Sequence, residues 1–259
     1  MIKSRVVPCT VAVGLCLFYV WWVYLSKPGD DSVAAQGGGL VPERRYLRRE
    51  PIDFEPRNMT SKILDDPLDY FMVPVCRKLK PGKVKPQEGE IYDSFATWQT
   101  LYQAQVRYNE WCKIACRWVP IQKDFEAWKI ALDGEYWSIL YLHEVPIVTI
   151  ANGGTTEKGP YQKGFPLGWK EDDEYYINNH LFLTVEFYHD RMTDLHRVVG
   201  VFAKPVSVKH TYNGEWTGIK PRVKTCVAAD KLFPSEKSTP QTAGYQEEVI
   251  FTYNVDFKS

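Results

Sequence analysis

The longest apolar pattern lies at the N-terminus, where Val6 to Leu25 (VVPCTVAVGLCLFYVWWVYL) runs for twenty residues without a charge. That length suffices for a helix to cross a bilayer. Lys3 and Arg5 precede the run, and Lys27, Pro28, Gly29, Asp30 and Asp31 come after it. The positive-inside tendency keeps the short leading end cytoplasmic and translocates the chain beyond residue 25. Trp21, Trp22 and Tyr24 suit the interface end of a permanent anchor, whereas Ser32-Val33-Ala34 offers the small residues that a signal peptidase prefers. Residues 1–25 are thus a cytoplasmic tip with either a signal peptide or a single signal-anchor helix. No later apolar run approaches this length, so the sequence holds at most one crossing.

From residue 26 to 60 the pattern is lost. Gly37-Gly38-Gly39, several prolines and the cluster Arg44, Arg45, Arg48 and Arg49 read as a flexible stem or linker. Arg45-Tyr46-Leu47-Arg48 also has the spacing that basic-specific proteases cut. Residues 61–259 form one lumenal domain. Its helical periodicity is clearest after Pro120, where Ile121, Phe125, Trp128 and Leu132 recur at helical spacing and Gly134 lies just past the last turn. Ser94 to Val106 reads as a second helix. Beyond Tyr136 the period changes to two. Val249, Phe251, Tyr253, Val255 and Phe257 alternate with Ile250, Thr252, Asn254, Asp256 and Lys258, the pattern of a half-buried strand. Leu181, Leu183, Val185 and Phe187 repeat it, and Ser138 to Ile150 and Arg197 to Val208 are rich in β-branched and aromatic residues. Asn152-Gly153-Gly154, Gly164 with Pro166 and Gly168, and Asn213-Gly214 supply the turns. The fold class expected is mainly β, a β-sandwich-like lumenal domain with one or two amphipathic helices.

Charge and chemistry narrow this further. The 259 residues hold 32 Lys+Arg against 32 Asp+Glu, which fits neither a nucleic-acid binder nor a disordered tail. Cys9 and Cys16 lie in the apolar run, leaving Cys76, Cys112, Cys116 and Cys226 for the exported part. Four cysteines in an oxidising compartment fit two disulfides, with three connectivities open. Cys112 and Cys116 would share a helix face, but no Cys-x2-Cys pair or nearby His completes a zinc set. Asn58-Met59-Thr60 is an N-glycosylation sequon in a polar, Pro-rich stretch expected to be exposed. Nucleophile elbow, Walker loop, dinucleotide fingerprint and zinc-protease helix are all absent, and so is Asp-x-Asp, which weighs against a metal-dependent type II Golgi enzyme. No catalytic residue, cofactor or metal ligand is assigned. His180 and His189 flank a strand and are expected to be structural or at the surface. Glu171-Asp172-Asp173-Glu174 lacks the spacing of a calcium loop and reads as a solvated face. The aromatic load, including Trp98, Trp111, Trp118 and Trp137, keeps a glycan-binding sandwich as the alternative to core packing.

Several segments in order resemble the lumenal N-terminal domain of the nonaspanins, the transmembrane 9 superfamily, also called the endomembrane protein 70 family. Tyr70 to Arg77 (YFMVPVCR) is similar to the family's early aromatic, Pro, Cys and Arg element, and Cys112 to Cys116 to its paired-cysteine helix. Leu142 to Pro146 resembles a short strand ending in proline. Gly164-Phe165-Pro166-Leu167-Gly168 resembles the Gly-Phe-Pro-x-Gly loop, and Ile177-Asn178-Asn179-His180 the Ile-Asn-Asn-His signature downstream of it. Tyr188-His189, Arg197 to Val201, Cys226 and Glu248 to Val255 continue the match. The resemblance implies a non-enzymatic lumenal β domain of the Golgi and endosome membrane system, involved in sorting or localising other membrane proteins. Its partners would be membrane-protein cargo or lumenal proteins, with the membrane itself engaged through the N-terminal segment if that is uncleaved. No nucleic acid is implied. It also favours a signal peptide for the first segment. Family chains continue into nine membrane helices, whereas this sequence stops at Ser259, so it is expected to be a fragment or an ectodomain anchored by Val6 to Leu25.

Overall fold

The computed structural model describes residues 44–73, 76, 99–150, 160–216, 223–226 and 239–259, and of Cys226 only the main chain. The apolar run, the triple glycine, residues 94–98 and Asn152-Gly153-Gly154 lie outside the described residues. Among the described residues no helix is long and apolar enough to cross a membrane.

Twelve strands and one α-helix occur in chain order. The strands are β1 (Pro51–Ser61), β2 (Gln103–Gln105), β3 (Glu110–Trp118), β4 (Tyr136–Leu142), β5 (Val145–Ile150), β6 (Tyr161–Lys163), β7 (Phe165–Pro166), β8 (Gly168–Glu171), β9 (Glu174–Ile177), β10 (His180–Asp190), β11 (Leu195–Val206) and β12 (Val249–Lys258). The helix α1 (Gln122–Asp133) sits between β3 and β4. Ten strands make one sheet in the order β2-β1-β4-β5-β11-β10-β12-β3, with β6 added to β5 and β7 to β4, while β8 and β9 form a separate hairpin.

The expected sandwich is corrected to a nearly closed, barrel-like sheet. Its end strands β2 and β3 are brought together by Tyr253 of β12, whose hydroxyl donates to the Gln103 carbonyl at 3.0 Å and accepts the Gln103 N–H at 3.1 Å. Lys113 Nζ of β3 adds a bond to the same carbonyl. Alternation along a strand tells which face is buried, but a sandwich and a curled sheet bury that face equally well. Curling depends on twist and on bulges. Here register shifts interrupt the β1–β4, β10–β11 and β12–β3 pairings.

The helix after Pro120 forms as expected. Trp128 and Leu132 are buried, and Trp128 packs between Trp118 and Phe251 at ring separations of 5.9 and 6.4 Å. The second expected helix does not form over the described part of its span, because Gln103–Gln105 is a strand paired with β1. The expected paired-cysteine helix is strand β3 instead. Positions four apart share a face on an unbroken strand as on a helix, so the spacing could not distinguish them. Cys116 is bonded to Cys76 across a Cα separation of 5.6 Å, and Cys112 is also disulfide-bonded.

The strand expectations over β10, β11 and β12 hold, with one sharpening. β12 is buried on both faces from Val249 to Val255, not on one. It runs parallel to β10 and antiparallel to β3. The Ser138 to Ile150 stretch is a hairpin, turning at His143-Glu144. The expected stem is ordered from Arg44 onward. Tyr46 is buried and bonded through its N–H and C=O to the main chain of His196, so the Arg45 to Arg48 run is docked on the sheet. Asn58 lies within β1, half-buried beside the fully buried Met59, and not in an exposed tail.

Candidate functional site

The motif residues converge where β10 begins. Gly164 has φ +81° and donates its N–H to the Ile147 carbonyl at 2.8 Å; a Cβ there would stand 2.4 Å from the Ser138 carbonyl. Only glycine combines that left-handed backbone with that approach. It admits Phe165 and Pro166 to pairing with Ser138 and Trp137 of β4, burying Phe165 and, after them, Leu167. At Gly168 a Cβ would lie 1.9 Å from the Tyr176 carbonyl, so glycine is required where the loop enters the β8–β9 hairpin.

Asn178 fastens this loop from the other side. Its N–H donates to the Leu167 carbonyl at 2.8 Å, and its side-chain amide to the Pro166 carbonyl at 2.9 Å. Asn179, fully buried, donates to the carbonyls of Val208 and Ile250 at 2.8 and 2.9 Å and accepts the Val208 N–H at 2.8 Å. One amide therefore ties β10, the chain leaving β11 and the start of β12. Its own carbonyl accepts the Thr252 N–H.

His180 completes the cluster. Its Nδ1 is 2.6 Å from Thr252 Oγ1, which is also 2.8 Å from His210 Nε2, and His210 Nδ1 is 2.7 Å from Thr225 Oγ1. A hydroxyl donates one proton and accepts others, so Thr252 can bridge two neutral imidazoles of opposite donor sense. Burial, reinforced by the neighbouring His210, pushes His180 down to about 3. Burial likewise pushes His210 down to about 4. Both rings are neutral at physiological pH. Thr252, His210 and Thr225 had no signal in the sequence, since His210 lies thirty positions from His180 and no local spacing links them.

The remaining candidates are dispersed. His189 lies at the far end of β10 from His180, bonded to Asp194 at 2.8 Å and stacked on His196 at 4.6 Å. His196 is buried, with Arg107 Nη1 3.2 Å from its Nε2. Burial lowers its pKa, with smaller contributions from His189 and Arg107, against the bond to the Tyr46 carbonyl, which raises it. Glu171-Asp172-Asp173-Glu174 forms the exposed β8–β9 turn, in which Asp172 and Asp173 take positive φ. No group of three or more metal-ligating side chains gathers among the described residues. Trp137 is buried beneath Lys62, Trp111 is exposed on β3, and Trp98 lies outside the described residues.

What the cluster does is join strands. Loop, hairpin and three strands of a barrel-like sheet are held at one point by an amide ladder and a neutral histidine pair, which defines a β domain built around a buried polar clamp. Comparison with known proteins supplies the family. Residues 67–259 match the Endomembrane protein 70 family. The chain is 30% identical over 230 residues to Transmembrane 9 superfamily member 9 of Arabidopsis thaliana, covering 85% of this chain and 35% of that protein. It is 31% identical over 227 residues to member 10 of the same plant, and 21% identical over 239 residues to member 4 of Mus musculus, at similar coverage. The chain therefore belongs to the transmembrane 9 superfamily, an endomembrane family, and spans about a third of the length of these relatives. No solved structure matches it.

Proposed function

We propose that the chain is a non-enzymatic lumenal domain that helps to sort or localise membrane proteins in the Golgi and endosome system through protein contacts. The family relationship over residues 67–259 carries this reading. The clamp supports it, because Asn178, Asn179 and His180 hold strands and loop together, and Asn179 and His180 are buried away from solvent. The test is deletion of residues 44–259 in the native gene while membrane cargo is tracked by microscopy and surface labelling. Mislocalised cargo is expected; cargo distribution identical to wild type would refute the reading.

A second reading, a glycan-binding module, has one observation in its favour. Trp169 on the β8–β9 hairpin is 38% exposed and stacked on Tyr176 at 5.1 Å, beside the carboxylates of Glu171 and Glu174. Aromatic faces of this kind pack against sugar rings. Binding on a glycan array that is lost in Trp169→Ala would favour it over the first.

A further inference from the structure

Arg45-Tyr46-Leu47-Arg48, followed by Arg49, lies in a strap from Arg44 to Glu50, outside the residues 67–259 that match the family. Two pins hold the strap to the sheet. At one, Tyr46 exchanges main-chain hydrogen bonds with His196 of β11 at 2.8 and 2.9 Å, and its side chain is buried. At the other, the Arg49 N–H donates to the Val106 carbonyl at 2.8 Å and the Val106 N–H to the Glu50 carbonyl at 3.1 Å. Between the pins the chain turns. The Leu47 N–H donates to the Glu50 carboxylate, the Glu50 N–H to the Leu47 carbonyl, and Arg49 takes φ +65°. Arg45, Leu47, Arg48 and Arg49 face solvent. A protease, however, takes its substrate as an extended strand whose side chains are free to enter pockets. The turn and the buried Tyr46 prevent that, so the docked strap is a protected form of the motif.

His196 links the two pins. Its Nδ1 faces the Tyr46 carbonyl at 3.4 Å, and its Nε2 lies 3.2 Å from Nη1 of Arg107, the neighbour of Val106. A guanidinium only donates, so Nε2 is the bare acceptor and Nδ1 carries the hydrogen toward Tyr46. Protonation at Nε2 removes that acceptor and sets two cations against each other. His189, stacked on His196 at 4.6 Å, adds to the repulsion when charged, whereas Asp194, bonded to His189, acts on His196 in the opposite sense. The other charged groups around the strap are Arg44 with Glu50, Arg45 with Asp190, and His143 with Glu144 beside the Tyr46 ring, on which Glu55 also acts. The strap is also held at a cost. The buried Tyr46 hydroxyl has no hydrogen-bond partner among the described residues, and undocking returns it to water.

We propose that the Arg48–Arg49 peptide bond is a processing site for an endoprotease with acidic pockets for arginine at the first and fourth positions before the cut, and that acid opens the site by protonating His196. The proposal rests on the reading of this domain as lumenal. Water's oxygen joins the Arg48 carbonyl carbon as the C–N bond breaks, leaving a carboxylate, and its two protons go to the Arg49 nitrogen, leaving an ammonium. Burial makes docked His196 harder to protonate than a free ring. Docking is therefore fully favoured above about pH 6.5 and weakens as pH falls below it. The cut separates the apolar run Val6 to Leu25 from the sheet, and so detaches the sheet from any membrane attachment that run provides.

The test uses the purified full chain in detergent and a subtilisin-like endoprotease selective for Arg-x-x-Arg. Cleavage rates at about pH 7.5 and about pH 5.5 are divided by those of a free peptide of residues 43–52, which carries the motif undocked. Mass spectrometry should find a new N-terminus at Arg49. The normalised rate should rise at least about threefold in acid, because cleavage follows the opened fraction when closing is fast. Tyr46→Ala should be cut quickly at both pH values. His196→Gln should abolish the rise; because a buried substitution can fail to fold, the exposed Arg107→Gln, which leaves no cation facing Nε2, repeats the measurement. Hydrogen exchange corrected for its intrinsic rate should increase in acid at Tyr46, Arg49, Val106 and His196 while Leu181 to Val185 stay protected, separating release of the strap from loosening of the whole sheet. Equal normalised wild-type rates at the two pH values, or exchange rising in both segments together, would overturn the proposal. So would a cut after Arg45 or Arg49 instead, or no cut after Arg48 even in Tyr46→Ala. The assay is independent of where the domain resides, so a failure of lumenal placement is read separately, from the glycosylation of Asn58.

Discussion

Acid should loosen this domain through His180 and His210. Both titrate well below a free histidine in the folded protein, at about 3 and about 4, because burial penalises the imidazolium. In the unfolded chain each returns to about 6.5. As pH falls below about 6.5 the unfolded state takes up protons that the folded state refuses, so the stability present above that value is progressively lost until the folded pKa values are reached. Between about pH 7.5 and about pH 5 each ring contributes roughly 2 kcal/mol of loss, or about 4 kcal/mol together. His196, lowered chiefly by burial, adds a loss of the same sign in this window, whereas Asp190 and Asp194 are lowered by hydrogen bonds from an ordinary value already below it. Guanidinium unfolding at the two pH values, with the disulfides kept intact, measures the loss directly. His210→Gln keeps a polar group beside Thr252 but removes one titrating site, so it should be less stable near neutrality yet lose about 2 kcal/mol less than the wild type on acidification. Equal wild-type stability at both pH values would refute the reasoning. So would a variant whose loss matches the wild type's.

Other consequences are simpler to check. Gly168→Ala should cost about 3 kcal/mol, because its Cβ meets the Tyr176 carbonyl, whereas Gly214→Ala, with φ +80° and open space around it, should cost about 1 kcal/mol by chemical denaturation. Asn179→Ala strands several buried main-chain groups and should cost roughly 3 kcal/mol or more; a change under about 1 kcal/mol would sink the clamp. Peptide mapping without reductant should recover Cys76 joined to Cys116 and no free thiol at Cys112. If the chain is translocated, endoglycosidase treatment should shift the wild type on a gel but not Asn58→Gln.

The strands were legible because their alternation is a local signal, and Leu181, Leu183 and Val185 do line the core. The helix was legible through the Trp128 and Leu132 spacing for the same reason. Closure of the sheet was not, since it rests on Tyr253 meeting Gln103 from 150 positions away. The Gly164 to Gly168 loop and Asn178 to His180 were found as motifs, but a motif does not say what its residues touch. Their work as a clamp depends on Val208, His210, Ile250 and Thr252 arriving from distant chain, and no periodicity records that. The double-sided burial of β12 was missed on the same ground. Thr252 and Asn254 read as a solvent face until His180 and His210 cover Thr252 and the Cys112 N–H donates to Asn254.

The central position of β12 also governs the order of assembly. It is the last of the described strands, yet it fills the gap between β10 and β3. Pairings of such long separation are slow to form. During synthesis, β10 and β11 can zip as a hairpin and β1 can find β4, but β3 has no partner among the described strands until residues 249–258 have emerged. The disulfide from Cys76 to Cys116 lies on this waiting strand. The nascent chain therefore leaves this cysteine-bearing strand without its described partner for the whole interval, a transiently exposed edge of the kind that invites misassembly.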